Sequence, residues 1–247
     1  MIKKFKAMRS DGQKITEDVP VEKGIRLFVN GKLVANVKLS PGYEEEFAIG
    51  YCIGEGLVKD ASAILDVGLM ENALDVKVKE KLDMSYTKEL TSDCISGWRM
   101  GAEMGDVSVD SNLKINASDI TKNMARLSKS SKNWKKTGGF HSTALVCGKK
   151  FLFSEDISRH IVTDKIIGMG VKGSVDFNKS YLLTSGRLPG DMVIKVARAN
   201  IPIIASRTAP ISSGIECAEK TGITLVGFAR GKRMNIYTCP QRININL

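Results

Sequence analysis

Between Tyr181 and Phe228 the chain alternates short apolar runs with amphipathic stretches, and no other feature narrows the fold as far. Tyr181–Thr184, Ile201–Ala205 and Ile223–Phe228 read as strands; Gly190–Asn200 and Ile211–Thr221 read as the helices between them. Strands joined by helices run parallel, so this half predicts a layered α/β domain. A last strand, Met234–Thr238, is placed to return antiparallel after a turn at Arg230-Gly231.

Parallel strands bring their following loops to one edge. Those loops are Ser185-Gly186-Arg187, Ser206-Arg207-Thr208 and Ala229-Arg230-Gly231-Lys232-Arg233. The carboxyl edge is where open α/β sheets bind ligands. Hydroxyls, glycines, helix N-termini and arginines there suit a phosphate or pyrophosphate. The charge distribution agrees: the net charge is +10, with eight Lys or Arg and no acid between Thr121 and Lys150. Gly186–Leu247 adds nine basic residues against three acids. Such a field favours an anionic partner, although a basic surface serving only solubility has the same composition. Few aromatics accompany it, which argues against single-stranded nucleic acid.

Upstream, residues 1–20 are polar and read as a loose arm. Ile25–Leu39 reads as a hairpin turning at Asn30-Gly31, Tyr43–Leu57 as a helix with acids in its first turn, and Ile64–Lys79 as a second hairpin. Together 21–80 form a small α+β module. Lys81–Val107 is rich in Gly, Ser and Thr, so 81–110 reads as a mobile loop, and 111–247 as the main domain beginning with a helix at Ser118–Lys129. No apolar run nears the length of a membrane span and MIKKFKAMRS lacks a signal-peptide core, so a cytoplasmic protein is expected. The five cysteines are odd in number and widely spaced, as free thiols in a reducing compartment are.

Both histidines fall in Thr137–Gly168, where a hairpin over Phe140–Phe153 gives way to helical spacing from Ile157. On that helix His160 and Asp164 share one face, as a site or as a solvated His–Asp pair. With no Cys-x-x-Cys and no His-x-x-x-His, a zinc site is not expected. Cys94, in TSDCISGWR, is the cysteine most plausibly exposed; Arg99 favours its thiolate and Asp93 opposes it.

TGGFHSTAL, SEDISRHIVTDKIIG, SGR and APISSGIECAEKTGITLVGFARGKRMNIYT, with VNGKLVANVKLSPGYEEEFAIGYCIGEGLV upstream, resemble the FdhD family over most of 20–240. The resemblance implies a cytidine-deaminase-like main domain without the zinc, a homodimer, and an accessory sulfurtransferase of formate dehydrogenase. In that role it would take persulfide sulfur from a cysteine desulfurase and pass it to the molybdenum cofactor of formate dehydrogenase or another molybdenum or tungsten oxidoreductase. Cys94 matches the first cysteine of the family's Cys-x-x-Cys loop, while Gly97 stands where the second would be. Phe228, Ala229, Arg230, Gly231, Lys232 and Arg233 match the segment for the bis(molybdopterin guanine dinucleotide) form of the cofactor, for which GDP or GMP serves as an analogue. His160, Asp164, Ser185 and Arg187 are candidate pocket-lining residues by position. The runner-up reading is a cofactor- or guanine-nucleotide-binding chaperone without sulfur transfer. Neither a membrane nor nucleic acid is expected as a partner.

Overall fold

The computed structural model describes residues 1–79 and 107–245, so Cys94, Gly97 and most of the loop expected over 81–110 lie outside the described residues. Residues 1–20 are not the loose arm their polarity suggested. Strands β1 (Ile2–Met8) and β2 (Lys14–Pro20) pair antiparallel along their whole length. The turn explains the difference: Asp11-Gly12 separates the two runs, and Asp11 Oδ1 accepts the Gln13 N–H at 2.9 Å.

Strands β3 (Lys23–Val29) and β4 (Lys32–Leu39) form the expected hairpin, with Asn30 at φ 49° and Gly31 at φ 76°. Two consecutive positive φ values are what a type I′ turn requires. Helix α1 (Glu44–Gly54) opens on three acids, where the helix dipole favours them. Strands β5 (Ile64–Met70) and β6 (Ala73–Val78) complete a four-stranded sheet of order β4-β3-β6-β5, with β3 and β6 parallel.

The second half is a mixed α/β layer structure. It comprises β7 (Ile115–Asn116), α2 (Ala117–Ser130), α3 (Lys132–Thr137), β8 (His141–Cys147), β9 (Lys150–Asp156) and α4 (Arg159–Lys172). Then follow β10 (Tyr181–Thr184), α5 (Gly190–Arg198), β11 (Ile203–Ser206), α6 (Ser212–Thr221), β12 (Thr224–Arg230), β13 (Arg233–Ile236) and β14 (Ile243–Asn244). Six strands lie in the order β13-β12-β11-β10-β8-β9. As the alternation predicts, β10, β11 and β12 are parallel, and β13 returns antiparallel to β12. The strands are buried on both faces. Leu182, Ile204 and Leu225 point into the core shared with α4 and α5, whereas Leu183, Ile203, Ala205 and Val226 meet Ile120, Met124 and Leu127 of α2.

Helix α4 is the centre of the molecule. It is buried on nearly every face, and α1 crosses it at contact distance. A Cβ at Gly50 would overlap the Asp164 carbonyl, and one at Gly168 the Glu46 carbonyl. Only glycine allows two helix backbones so close. The four-stranded sheet closes on the other side of α1, so Ile25, Leu27, Leu74 and Val76 belong to one continuous core with Ile166, Leu182 and Val196.

Two buried ion clusters pin this core. Lys165 Nζ donates to Asp156 Oδ2 at 2.7 Å and to the Ser40 carbonyl at 2.8 Å, while Asp156 accepts the Ser40 and Ser158 N–H groups. Lys195 Nζ donates to Asp164 Oδ1 and to Glu55 Oε1, both at 2.7 Å. Buried charges persist when paired and hydrogen-bonded; Lys165 and Asp156 join the consecutive β9 and α4 and tie both to Ser40, and Lys195 ties α5 to α4 and to the end of α1.

Candidate functional site

The carboxyl edge of β10, β11 and β12 borders a pocket of about 410 Å³. Its floor comes from the sheet: Ser185 follows β10, Arg207 and Thr208 follow β11, and Arg230 ends β12. Its opposite wall comes from Leu127, Ser128 and Ser131 at the end of α2, Trp134 of α3, and Gly138 to Ser142 leading into β8. Among the described residues, none that lines it is acidic.

Local hydrogen bonds hold these side chains. Ser206 Oγ donates to the Gly186 carbonyl at 2.5 Å and accepts the Thr208 N–H at 3.0 Å, joining the two loops. Arg207 donates from Nη1 to Ser128 Oγ at 3.1 Å, so its guanidinium is steered toward the α2 wall. The Ser131 and Ser142 hydroxyls lie 2.7 Å apart, and Ser185 Oγ accepts the Ser142 N–H at 3.0 Å. His141 Nδ1 sits 3.5 Å from Ser185 Oγ. Burial, then the neighbouring His160 and Arg187, lower the His141 pKa from its ordinary 6.5, leaving a neutral imidazole at pH 7.

The third loop overhangs the edge. Val226 pairs with Ala205, and beyond it β12 continues through a bulge, with Phe228 at φ 53° and its N–H donated to the Thr208 carbonyl at 3.0 Å. Of the six residues expected to hold a dinucleotide, Arg230 lines the pocket. Ala229 is buried, Phe228 lies half-buried under the Arg233 guanidinium 5.3 Å away, and Gly231, Lys232 and Arg233 form the exposed turn above.

Of the other expected residues, Ser185 lines the pocket and Arg187 stands exposed just outside it. His160 and Asp164 are on a buried face rather than a solvated one. His160 Nε2 lies 3.5 Å from Asp191 Oδ1, and Asp164 is taken up by Lys195 on the far side of the sheet from α2. The i,i+4 spacing placed them on one face but could not say what that face meets. The α2–α3 wall was the part not found from the sequence. Its signals were Thr137-Gly138-Gly139 and the acid-free basic run around it.

The acid pair Glu155-Asp156 divides its work. Asp156 serves Lys165, whereas Glu155 Oε2 accepts the Asn133 N–H at 3.1 Å and Oε1 the Trp134 N–H at 3.0 Å. This carboxylate is buried and caps α3, the helix that supplies the pocket wall. Two of the described cysteines are poor nucleophiles: burial pushes Cys52 up to about 12 and Cys217 up to about 11. Among the described residues, no group of three or more His, Cys, Asp or Glu side chains is arranged to hold a metal, and no helix is long and apolar enough to cross a membrane.

Two arginines at the carboxyl edge, with no carboxylate among the described lining residues, give the pocket the chemistry to hold an anion. Comparison with known proteins gives it a family context. The model of the FdhD/NarQ family matches residues 20–244. The sulfur carrier protein FdhD of Methanothermobacter thermautotrophicus is 45% identical, over 94% of this chain and 92% of that one. That of Wolinella succinogenes is 33% identical over 93% and 84%, and the protein FdhD of Methanocaldococcus jannaschii 32% over 96% and 97%. A crystal structure of a proposed formate dehydrogenase accessory protein from Desulfotalea psychrophila matches with a TM-score of 0.83, at 28% identity, over 99% of both chains.

Proposed function

Because the chain belongs to the FdhD/NarQ family, we propose that it is a sulfur carrier, loading sulfur on Cys94 and delivering it to a guanine-dinucleotide molybdenum cofactor seated in the carboxyl-edge pocket. The observation that carries this reading is a pocket with Arg207 and Arg230 at its floor and no acid among its described lining residues. Guanidinium groups bind phosphate oxygens in bidentate fashion, and the Ser185 hydroxyl, which accepts the Ser142 N–H, adds a neutral donor. These residues fit the pyrophosphate of a dinucleotide. The basic exposed surface of α2 and α3, with Lys129, Lys132, Lys135 and Lys136, draws such a substrate toward the mouth.

The donor is a cysteine desulfurase carrying a persulfide. The Cys94 thiolate attacks the outer sulfur, the sulfur–sulfur bond of the donor breaks, and the desulfurase cysteine leaves as a thiolate. The suppressed acidity of Cys52 and Cys217 supports assigning this step to a cysteine elsewhere in the chain. Release of the carried sulfur as sulfide takes two electrons. With Gly97 in place of a second loop cysteine, two external thiols supply them: the first releases sulfide and is left in a mixed disulfide with Cys94, and the second displaces it, forming the external disulfide and regenerating the Cys94 thiol. The client is a formate dehydrogenase or another molybdenum or tungsten oxidoreductase.

Persulfide formation is measured by incubating the protein with a cysteine desulfurase and cysteine, then trapping the adduct for mass spectrometry. Uptake at the wild-type level by Cys94→Ala would remove Cys94 from the scheme. Replacing Arg207 and Arg230 by alanine should weaken GDP binding by tenfold or more, since a charge-assisted contact contributes about 1.5–3 kcal/mol. Gly97 also favours a second reading, a nucleotide-binding chaperone that moves no sulfur. That reading predicts GDP binding with no trapped persulfide.

A further inference from the structure

Two large aromatics line the carboxyl-edge pocket, Phe140, which is buried in the core, and Trp134, whose ring is open to the solvent side. Trp134 is 47% exposed, lines the cavity, and stands in the six-residue helix α3 between four exposed lysines. An indole left open to water in a basic surface is poorly placed for folding and well placed for recognition. Its backbone is fixed with unusual care. The buried Glu155 carboxylate of β9 accepts both the Trp134 and Asn133 N–H groups, one on each oxygen. The other end of α3 is tied by the Gly138 N–H, which donates to the Trp134 carbonyl at 2.7 Å. The segment next to it is braced from outside, where Pro20 of β2 packs against Gly139 so closely that a Cβ there would lie 2.6 Å from its ring.

We infer that Trp134 is the stacking surface for a heteroaromatic ring whose anionic groups lie at Arg207 and Arg230, and that Glu155 is the residue that positions it. The inference rests on the anion-binding reading of this pocket and adds what that reading lacks, a means of telling a nucleotide from a bare phosphate. A flat π-face accepts any base, so the contribution is affinity for an aromatic ring rather than for guanine in particular. Glu155 touches no ligand; it acts through the position of the α3 backbone.

The test uses the full chain with Trp98→Phe, so that Trp134 is its single indole. GDP and inorganic pyrophosphate are the probes, followed by Trp134 emission and by calorimetry. GDP should quench the emission, and pyrophosphate should bind without quenching it. Trp134→Ala should weaken GDP about tenfold, in keeping with the loss of one base–aromatic stack, and leave pyrophosphate within about twofold. Trp134→Phe should recover most of the loss. Glu155→Gln should make Trp134 more accessible to acrylamide and weaken GDP selectively. Glu155→Asp, which keeps the charge but shortens the reach, should do both in smaller measure. Unchanged GDP affinity in Trp134→Ala, or equal loss of both probes, overturns the stacking role. A wild-type chain that binds pyrophosphate but not GDP overturns it too, while the anion site stands. Binding of neither probe refutes the anion site and the inference together. Glu155 variants that match the wild type in both readouts remove Glu155 from the claim.

Discussion

At the scale of single residues, the family-like run from Glu155 to Lys165 divides by neighbours rather than by chemistry. Glu155 caps α3, Asp156 neutralises Lys165, and Asp164 neutralises Lys195. Full burial lifts the Asp164 carboxyl from its ordinary 3.8 to about 6; Lys195 pulls it down and Glu55 adds to the rise. A carboxyl with a raised folded-state pKa binds its proton more tightly in the native chain than in the unfolded one. Its contribution to stability is therefore fully present below pH 3.8 and is lost as pH rises through 6. Relative to Asp164→Asn, in which Lys195 keeps Glu55 as counter-ion, the wild type should lose stability from pH 4 to pH 6. The slope at its steepest should be about 1.2 kcal/mol per pH unit, a little under the value of about 1.4 for one full proton. Urea unfolding of both proteins across that window measures it, and parallel curves would refute the assignment. Nothing in the spacing of His160 and Asp164 foretold this role. A helical period reports which residues share a face, whereas their partners Asp191, Lys195 and Glu55 come from other elements.

At the scale of elements, what was legible in the sequence was local. Asn30-Gly31 specifies its turn through two positive φ values, and the alternation after Tyr181 specifies parallel strands because helices must cross between them. The three arginine-bearing loops then reach one edge by topology alone, and two of the arginines, Arg207 and Arg230, line the pocket. The ribbon at 1–20 leaves little trace in the sequence, because its residues are mostly exposed on both faces and carry no alternation; only the turn at Asp11-Gly12 marks it. The crossing of α1 and α4 was not legible either. Gly50 and Gly168 look like ordinary helix glycines until the opposing backbone is known. Gly50→Ala should therefore destabilise by about 1–3 kcal/mol through overpacking, more than its gain in helix propensity returns. For a chain of this size that is a fall in Tm of several degrees. Gly68 in β5 is the internal control, since a Cβ there would meet its nearest atom at 3.7 Å. A Gly50→Ala protein as stable as Gly68→Ala would mean that the helices separate without penalty.

At the scale of the whole molecule, the division into a small N-terminal module and a main domain describes the sheets but not the core. The inner face of the four-stranded sheet packs on α1, the other side of α1 packs on α4, and α4 packs on β8 and β9. Removing either half strips water-excluding cover from α1, whose Phe47, Ala48, Cys52 and Ile53 are all buried. Lys195 and Arg198 of α5 reinforce the join, reaching Glu55 and the Gly54 carbonyl. A module of about 60 residues buries too little surface of its own to replace that cover. Thermal unfolding should accordingly be one transition, with the calorimetric and van't Hoff enthalpies in agreement. A fragment of residues 21–79 should give the narrow amide dispersion of an unfolded chain. Two resolved heat-absorption peaks, or a dispersed spectrum from the fragment, would show that the sheets fold independently. Coupling through α1 and α4 also links the pocket to the distant sheet. GDP bound at the carboxyl edge should raise the single transition as a unit, by an amount set by its concentration over Kd. A ligand that shifted only part of the transition would place the boundary of cooperativity between α1 and α4, where the two glycines instead hold the helices together.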